Sequence, residues 1–226
     1  MQTELSSRPE ETRFVLRGLT VAEEAAAIDL GFARMDGELV RRFPSHLPGI
    51  ERTFHRFEQC AARMLAQTAR LEPVPWDRAL ATFVERAEGV ATTWWVTGSA
   101  ALAARGIEVG ARDIDIVVED GAAAQALGEL FDAELVEPVT PSVGWVADWF
   151  GRAFVHARVE WVGSVRPEVD EPVASDFGPA AARALEEIEW RGHTLRVPPL
   201  SLQRDVARRR GLAERTAAIE AALARA

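Results

Sequence analysis

WWVTGSAALAARGIEVGARDIDIVVED, residues 94–120, carries the reading on which the fold turns. A strand-like run from Thr92 to Val96 stops at Gly98-Ser99. A small-residue segment then suits a short helix from Ser99 to about Arg105, and Ile114 to Val118 is strand-like again. Side chains alternate across a strand, so Asp113 and Asp115 project from one face while Ile114, Ile116 and Val118 pack on the other. Two carboxylates that close repel each other unless a cation lies between them, and a divalent metal such as Mg²⁺ meets that need with its preference for oxygen ligands. Alternation alone fits a solvent-facing strand edge as well.

Gly98-Ser99 bears on that choice. It sits where a strand gives way to a helix, where free N–H groups and the helix dipole favour an anion. Gly98 lets a phosphate approach the backbone, and Ser99 offers a hydroxyl. A turn with a plain N-cap explains the pair equally when it is taken alone. Together the two halves suit one ligand, a metal-bound polyphosphate. Arg105 and Arg112 flank the motif as candidate phosphate clamps, with a counter-ion to the two Asp as the other reading of Arg112.

Composition narrows the chemistry. All 26 basic residues are Arg; Lys and Tyr are absent. A lysine-bearing phosphate loop, a Schiff-base lysine and a tyrosine nucleophile are thereby excluded. The lone Cys60 rules out an intrachain disulfide, and the four His lack paired ligand spacing. A net charge of -9 opposes broad nucleic-acid binding while leaving room for a local contact. No apolar run approaches the roughly 20 residues of a membrane span, and the first residues lack the apolar core of a secretory signal. A cytoplasmic protein with no membrane partner is the expectation.

Working outward, MQTELSSRPEETR reads as a polar leader and FVLRG as a short strand. Thr20 with Glu23 makes a capping box for a helix to about Leu30. Asp36-Gly37 turns a hairpin, and Phe54, Phe57, Ala61, Met64 and Leu65 recur at helical spacing. LEPVPWD marks a boundary, so residues 1–72 form a small N-terminal α/β accessory unit and residues 73–226 the main domain. In the latter, Asp77 and Asp120 are candidate helix caps. AFVHARVEWVGSV alternates as a single half-buried strand, Arg191-Gly192 turns a late hairpin, and two helices start near Leu200 and Ala213. The fold class is α+β, a mixed sheet flanked by helices.

Val96-Thr97-Gly98-Ser99 followed by Arg112-Asp113-Ile114-Asp115-Ile116 resembles the signature of the DNA polymerase β-like nucleotidyltransferase superfamily. The resemblance spans about residues 92–165. It implies a nucleotidyltransferase-like sheet in which Asp113 and Asp115 hold a pair of Mg²⁺ ions. A third carboxylate from a later strand, Glu160 in RVEWVGSV, would complete the metal site and help to deprotonate the acceptor hydroxyl. Glu168 and Asp170 lie near enough to compete for that place, and an ion pair with Arg158 or another Arg is the structural reading of Glu160. Gly98 and Ser99 would hold the β and γ phosphates of a nucleoside triphosphate, ATP among the candidates, and transfer to the acceptor would release pyrophosphate. The acceptor class, whether small molecule, RNA end or protein, stays open. So does a chain that keeps the fold for binding or regulation and has lost turnover.

Other residues have two readings each. At most one of Trp94 and Trp95 faces the acids; Trp145, Trp149 and Trp161 line a pocket there or build the core. His156 alternates onto the face of Arg158 and Glu160. The arginines after Ser201 form the one locally basic region, where an RNA contact would fall, or they are solvated helix arginines.

Overall fold

A computed structural model describes residues 1–142 and 146–225. The expected α+β architecture is what the chain forms: a four-stranded antiparallel sheet, a five-stranded mixed sheet and a two-stranded hairpin, with helices between and after them.

In the first sheet the order is β1 (Gln2–Ser7), β2 (Glu11–Arg17), β4 (Glu38–Pro44), β3 (Ala33–Met35). The supposed polar leader is thus a strand. β1 lies at a sheet edge and buries little, so it carries no apolar alternation, and its order comes from the ladder with β2. The capping box of Thr20 and Glu23 opens α1 (Val21–Asp29), and both Asp36 and Gly37 take positive φ in the β3–β4 turn. α2 (Ile50–Thr68) lays its predicted apolar stripe on the sheet. Phe14 sits in the middle, with ring centroids of Phe43, Phe54 and Phe57 at 4.7, 5.0 and 5.4 Å.

The second sheet runs β5 (Trp94–Thr97), β6 (Ile114–Val118), β9 (Ala157–Val165), β8 (Ala147–Val155), β7 (Leu135–Pro141). Only β6 and β9 are parallel. α3 (Trp76–Ala87), α4 (Gly98–Ala104) and α5 (Gly121–Leu130) share one core with Ile114, Ile116, Val118, Val159 and Trp161. That core also takes in Trp190, Leu195 and Val197 of the hairpin β10 (Glu186–Trp190) and β11 (His193–Val197). The short α6 (Pro179–Ala182) precedes the hairpin; α7 (Leu200–Arg209) and α8 (Ala213–Leu223) close the chain, and Ala207 and Ile219 pack against Leu102 of α4.

Two further local expectations are corrected, and one strand went unread. AFVHARVEWVGSV divides at His156, whose φ of +62 reverses the chain so that Val155 faces Ala157. Period-two alternation continues through so tight a turn and cannot reveal it. Asp77 is not the N-cap: Pro75 holds that position, and Asp77 in the first turn accepts a 2.7 Å bond from Arg191. β7 gave no strand signal because it contains Pro138, which an edge strand tolerates at its register shifts. Among the described residues no helix is long and apolar enough to cross a membrane.

Candidate active site

The five-stranded sheet has helices α3 to α5 on one face and charge on the other. Asp115 is the register partner of Glu160 across the parallel β6–β9 pair, so both carboxylates leave the same face. Asp113 lies one residue before β6 and two from Asp115, on that face again. Each of the three offers an oxygen within 4.8 Å of the other two, the one such cluster among the described residues. Glu168 lies on a short turn of helix and Asp170 is spent accepting bonds from the backbone N–H groups of Ser175 and Ala180, so neither joins them.

The antiparallel pairing of β5 with β6 puts Thr97 opposite Asp115, and the next residue, Gly98, turns with φ +64. A side chain there would collide with the Asp115 carboxylate. The turn is fixed from outside: the Thr97 hydroxyl donates to the Asp176 carbonyl at 2.8 Å, and Gln203 of α7 donates to the Gly98 carbonyl at 3.1 Å. A cavity of about 230 Å³ opens here, lined by Gly98, Asp115, Glu160, Asp176, Phe177 and Arg210 among others. Ser99 is buried and does not line it.

An alternating chain of charge crosses the same face. Arg41 of β4 binds Glu137 of β7; Arg152 of β8 binds Glu137 at 2.6 Å and Glu160 at 2.7 Å. Arg158 of β9 then reaches Glu160 at 3.1 Å and Asp113. Arg152 also donates to the Leu30 carbonyl at 3.0 Å, which ties the N-terminal segment to the site. These contacts fall on Oε1 of Glu160 and Oδ2 of Asp113. Asp115 has no arginine contact at all among the described residues.

Burial pushes Asp115 well above the usual carboxylate range, and Asp113 and Glu160 push it further. Asp113 is raised for the same first reason, partly offset by Arg158. Burial acts on Glu160 too, but Arg152 and Arg158 outweigh it and hold that carboxyl below its ordinary value. Asp176 is raised by burial, with Arg210 and Arg215 opposing. An oxygen-seeking cation fits this donor set: three clustered, half-buried carboxylates, one of them without an ion pair among the described residues.

The remaining candidates divide. Arg112 is exposed and lines a separate cleft of about 850 Å³ with Arg70, Trp76, Glu108 and Arg215. Arg105 is at the other end of α4 from Gly98, where it binds Glu186 and the Pro198 carbonyl. Trp161 donates to the Ala124 carbonyl at 3.0 Å within the core, and Trp149 packs on Gly121 of α5, so both lie on the helix side and not beside the acids. Adjacency to Glu160 in sequence already puts Trp161 on the opposite face. Trp145 lies outside the described residues. Trp94 packs edge-on to Phe83, while Trp95 shares the face of Thr97 and is buried. His156, in its turn, lies near Arg63, Arg78 and Arg86, which with burial lower its pKa. Of the late arginines, Arg204, Arg208 and Arg209 are engaged within the chain by Asp205, Glu220 and the carbonyls of Val173 and Ala174. Arg210 and Arg215 have no ion pair among the described residues and bear on Asp176. Arg210 and Arg215 belong to the locally basic region after Ser201, but no periodicity joins them to residues 94–120, and Asp176 had no sequence signal.

No family model and no curated protein matches the sequence. Among solved structures, the provisionally assigned nucleotidyltransferase TM1012 from Thermotoga maritima is similar over 66% of this chain and 92% of its own, at 22% identity and a TM-score of 0.49. The lincosamide antibiotic adenylyltransferase LnuA, in its lincomycin-bound form, is similar over 56% of this chain and 82% of its own, at 11% identity and a TM-score of 0.40.

Proposed function

We propose that this protein is a Mg²⁺-dependent nucleotidyltransferase, moving a nucleoside monophosphate from a triphosphate to an acceptor hydroxyl. The observation that carries the reading is the meeting of Asp113, Asp115 and Glu160 within 4.8 Å, beside a glycine turn that lines the adjoining cavity. Asp113 and Asp115 hold the metal, and Glu160 adds its oxygen from β9. When bound, the divalent ions, two in the complete complex, neutralise triphosphate oxygens and stabilise charge on the attacking and leaving oxygens.

The chain's own residues supply the rest. Gly98 admits the triphosphate to the α4 turn. Arg210, which lines the cavity, takes the outer phosphates, with Arg215 and Arg112 along the larger cleft, through which the acceptor approaches. The acceptor oxygen bonds to the α phosphorus, the bond to the bridging oxygen breaks, and pyrophosphate leaves. Glu160, held low by two arginines, is a weak proton acceptor near neutral pH, so its part is to hold the ion, and the hydroxyl proton passes to solvent.

The test is to incubate the protein with each labelled triphosphate, Mg²⁺ and a panel of hydroxyl acceptors, and to follow pyrophosphate and label transfer. Asp113→Ala and Asp115→Ala abolish transfer on this reading; undiminished transfer in both overturns it. The neutralisation of Glu160 and Asp113 by Arg152 and Arg158 favours one other reading, a binding or regulatory protein without turnover. Metal-dependent triphosphate binding with no pyrophosphate released identifies that case.

A further inference from the structure

The two arginines beside the acids are held in different ways. Arg152 places Nε on Glu160 and Nη1 on both Glu137 and the Leu30 carbonyl, so its buried donors have partners from three elements. Arg158 spans Asp113 and Glu160 with its two Nη atoms, yet its Nε is buried with no partner. A residue only 7% exposed that leaves a donor orphaned is not seated in a socket built for it. It is drawn there by the two carboxylates. Arg152 is the anchor of Glu160; Arg158 is a cation resting between two ligand acids.

Resting on the metal site proposed above, we infer that Arg158 takes the place of a second cation in the nucleotide-free protein, so that the three acids bind a single divalent ion. The charge balance agrees. Arg41, Glu137, Arg152, Glu160, Arg158 and Asp113 alternate and sum to zero, and Asp115 leaves one negative charge uncompensated. One divalent ion at Asp115 already exceeds that charge by one, so a second has no carboxylate charge left to answer. A second would stand about 3.5–4 Å from the first, in the space between carboxylates that the guanidinium bridges. Arg158 would have to release one of its acids, with the triphosphate's negative charge in place, before a second ion could be held there.

The experiment counts ions rather than turnover. Mn²⁺ is titrated into the full-length protein without nucleotide, and free Mn²⁺ is read by electron paramagnetic resonance. The wild type takes one ion per chain, and Arg158→Met takes two. Should Arg158→Met fail to fold, Arg158→Gln, which keeps hydrogen-bonding groups and drops the charge, carries the same expectation. Asp115→Asn takes none, because Arg158 still covers the other two acids. Two ions in the wild type overturn the inference and leave the metal site standing. A single ion in the Arg158 variants, or an ion retained by Asp115→Asn, also overturns it. No ion in the wild type removes the proposed metal site itself.

Discussion

Gly98 and Asp115 stand in a contact that no other residue at position 98 allows. A Cβ there would run into the Asp115 carboxylate, and the backbone φ of +64 is one that side chains resist. The pairing of Thr97 with Asp115 makes the contact unavoidable, because the turn begins one residue beyond a fixed register. Gly98→Ala therefore costs about 1–3 kcal/mol of stability and displaces Asp115. Urea denaturation with a Mn²⁺ titration checks both: metal affinity falls at least tenfold, and a variant with wild-type affinity refutes the role given to the contact.

Asp115→Asn separates function from stability. The folded state holds the Asp115 proton to higher pH than the unfolded chain, so between the unfolded value, about 3.9, and the raised folded one, the native state binds more protons. Stability then falls as pH rises through that window, and the penalty is fully present above it. The metal-free Asn variant accordingly melts higher than the wild type at pH 7, with the gain shrinking toward pH 4. Added Mg²⁺ raises the wild-type melting temperature and not that of the variant. Thermal melts across pH, with and without Mg²⁺, decide the matter.

Arg152 is predicted to be the costliest of the site arginines to remove. Arg152→Ala leaves Glu137 and Glu160 buried with their main partner gone and frees the Leu30 carbonyl, a loss of about 3–5 kcal/mol. Arg166→Ala, which breaks an exposed pair with Asp148, is close to neutral. Equal effects in equilibrium unfolding would remove the distinction.

Gly151 and Trp161 are coupled in the core. They are register partners on β8 and β9, and a Cβ at 151 would come within 2.6 Å of the indole. Trp161→Phe alone costs about 1–3 kcal/mol, since the Ala124 carbonyl loses its donor. Gly151→Ala is severe in the wild type and milder in the Trp161→Phe background, where the smaller ring leaves room for the added methyl. A double-mutant cycle reads the coupling; additive effects contradict it.

What the sequence made legible was local or periodic. The capping box at Thr20, the turns at Asp36-Gly37 and Arg191-Gly192, and the cap at Asp120 each rest on residues a few positions apart, and each forms. The same holds for the face shared by Asp113 and Asp115, which alternation defines. Whatever depends on partners distant in sequence was hidden. β1 is ordered by β2, the reversal at His156 by the pairing of β8 with β9, and the guanidinium of Arg105 by Glu186 and the Pro198 carbonyl, far along the chain. Alternation placed Arg158 and Glu160 together, but the other arginine on Glu160 comes from β8, and the residue that steadies it from β7.

The bond from Arg152 to the Leu30 carbonyl joins residues 122 positions apart. Contacts of such separation close late in folding, after loop entropy has been overcome. The pair of Arg152 with Glu160, eight residues apart across the β8–β9 turn, does not wait for that bond; what comes late is a further anchor on the same guanidinium. A molecule that has lost the segment around Leu30 to proteolysis therefore keeps the acids of β6 and β9 but loses one of the anchors that fix Arg152 beside them.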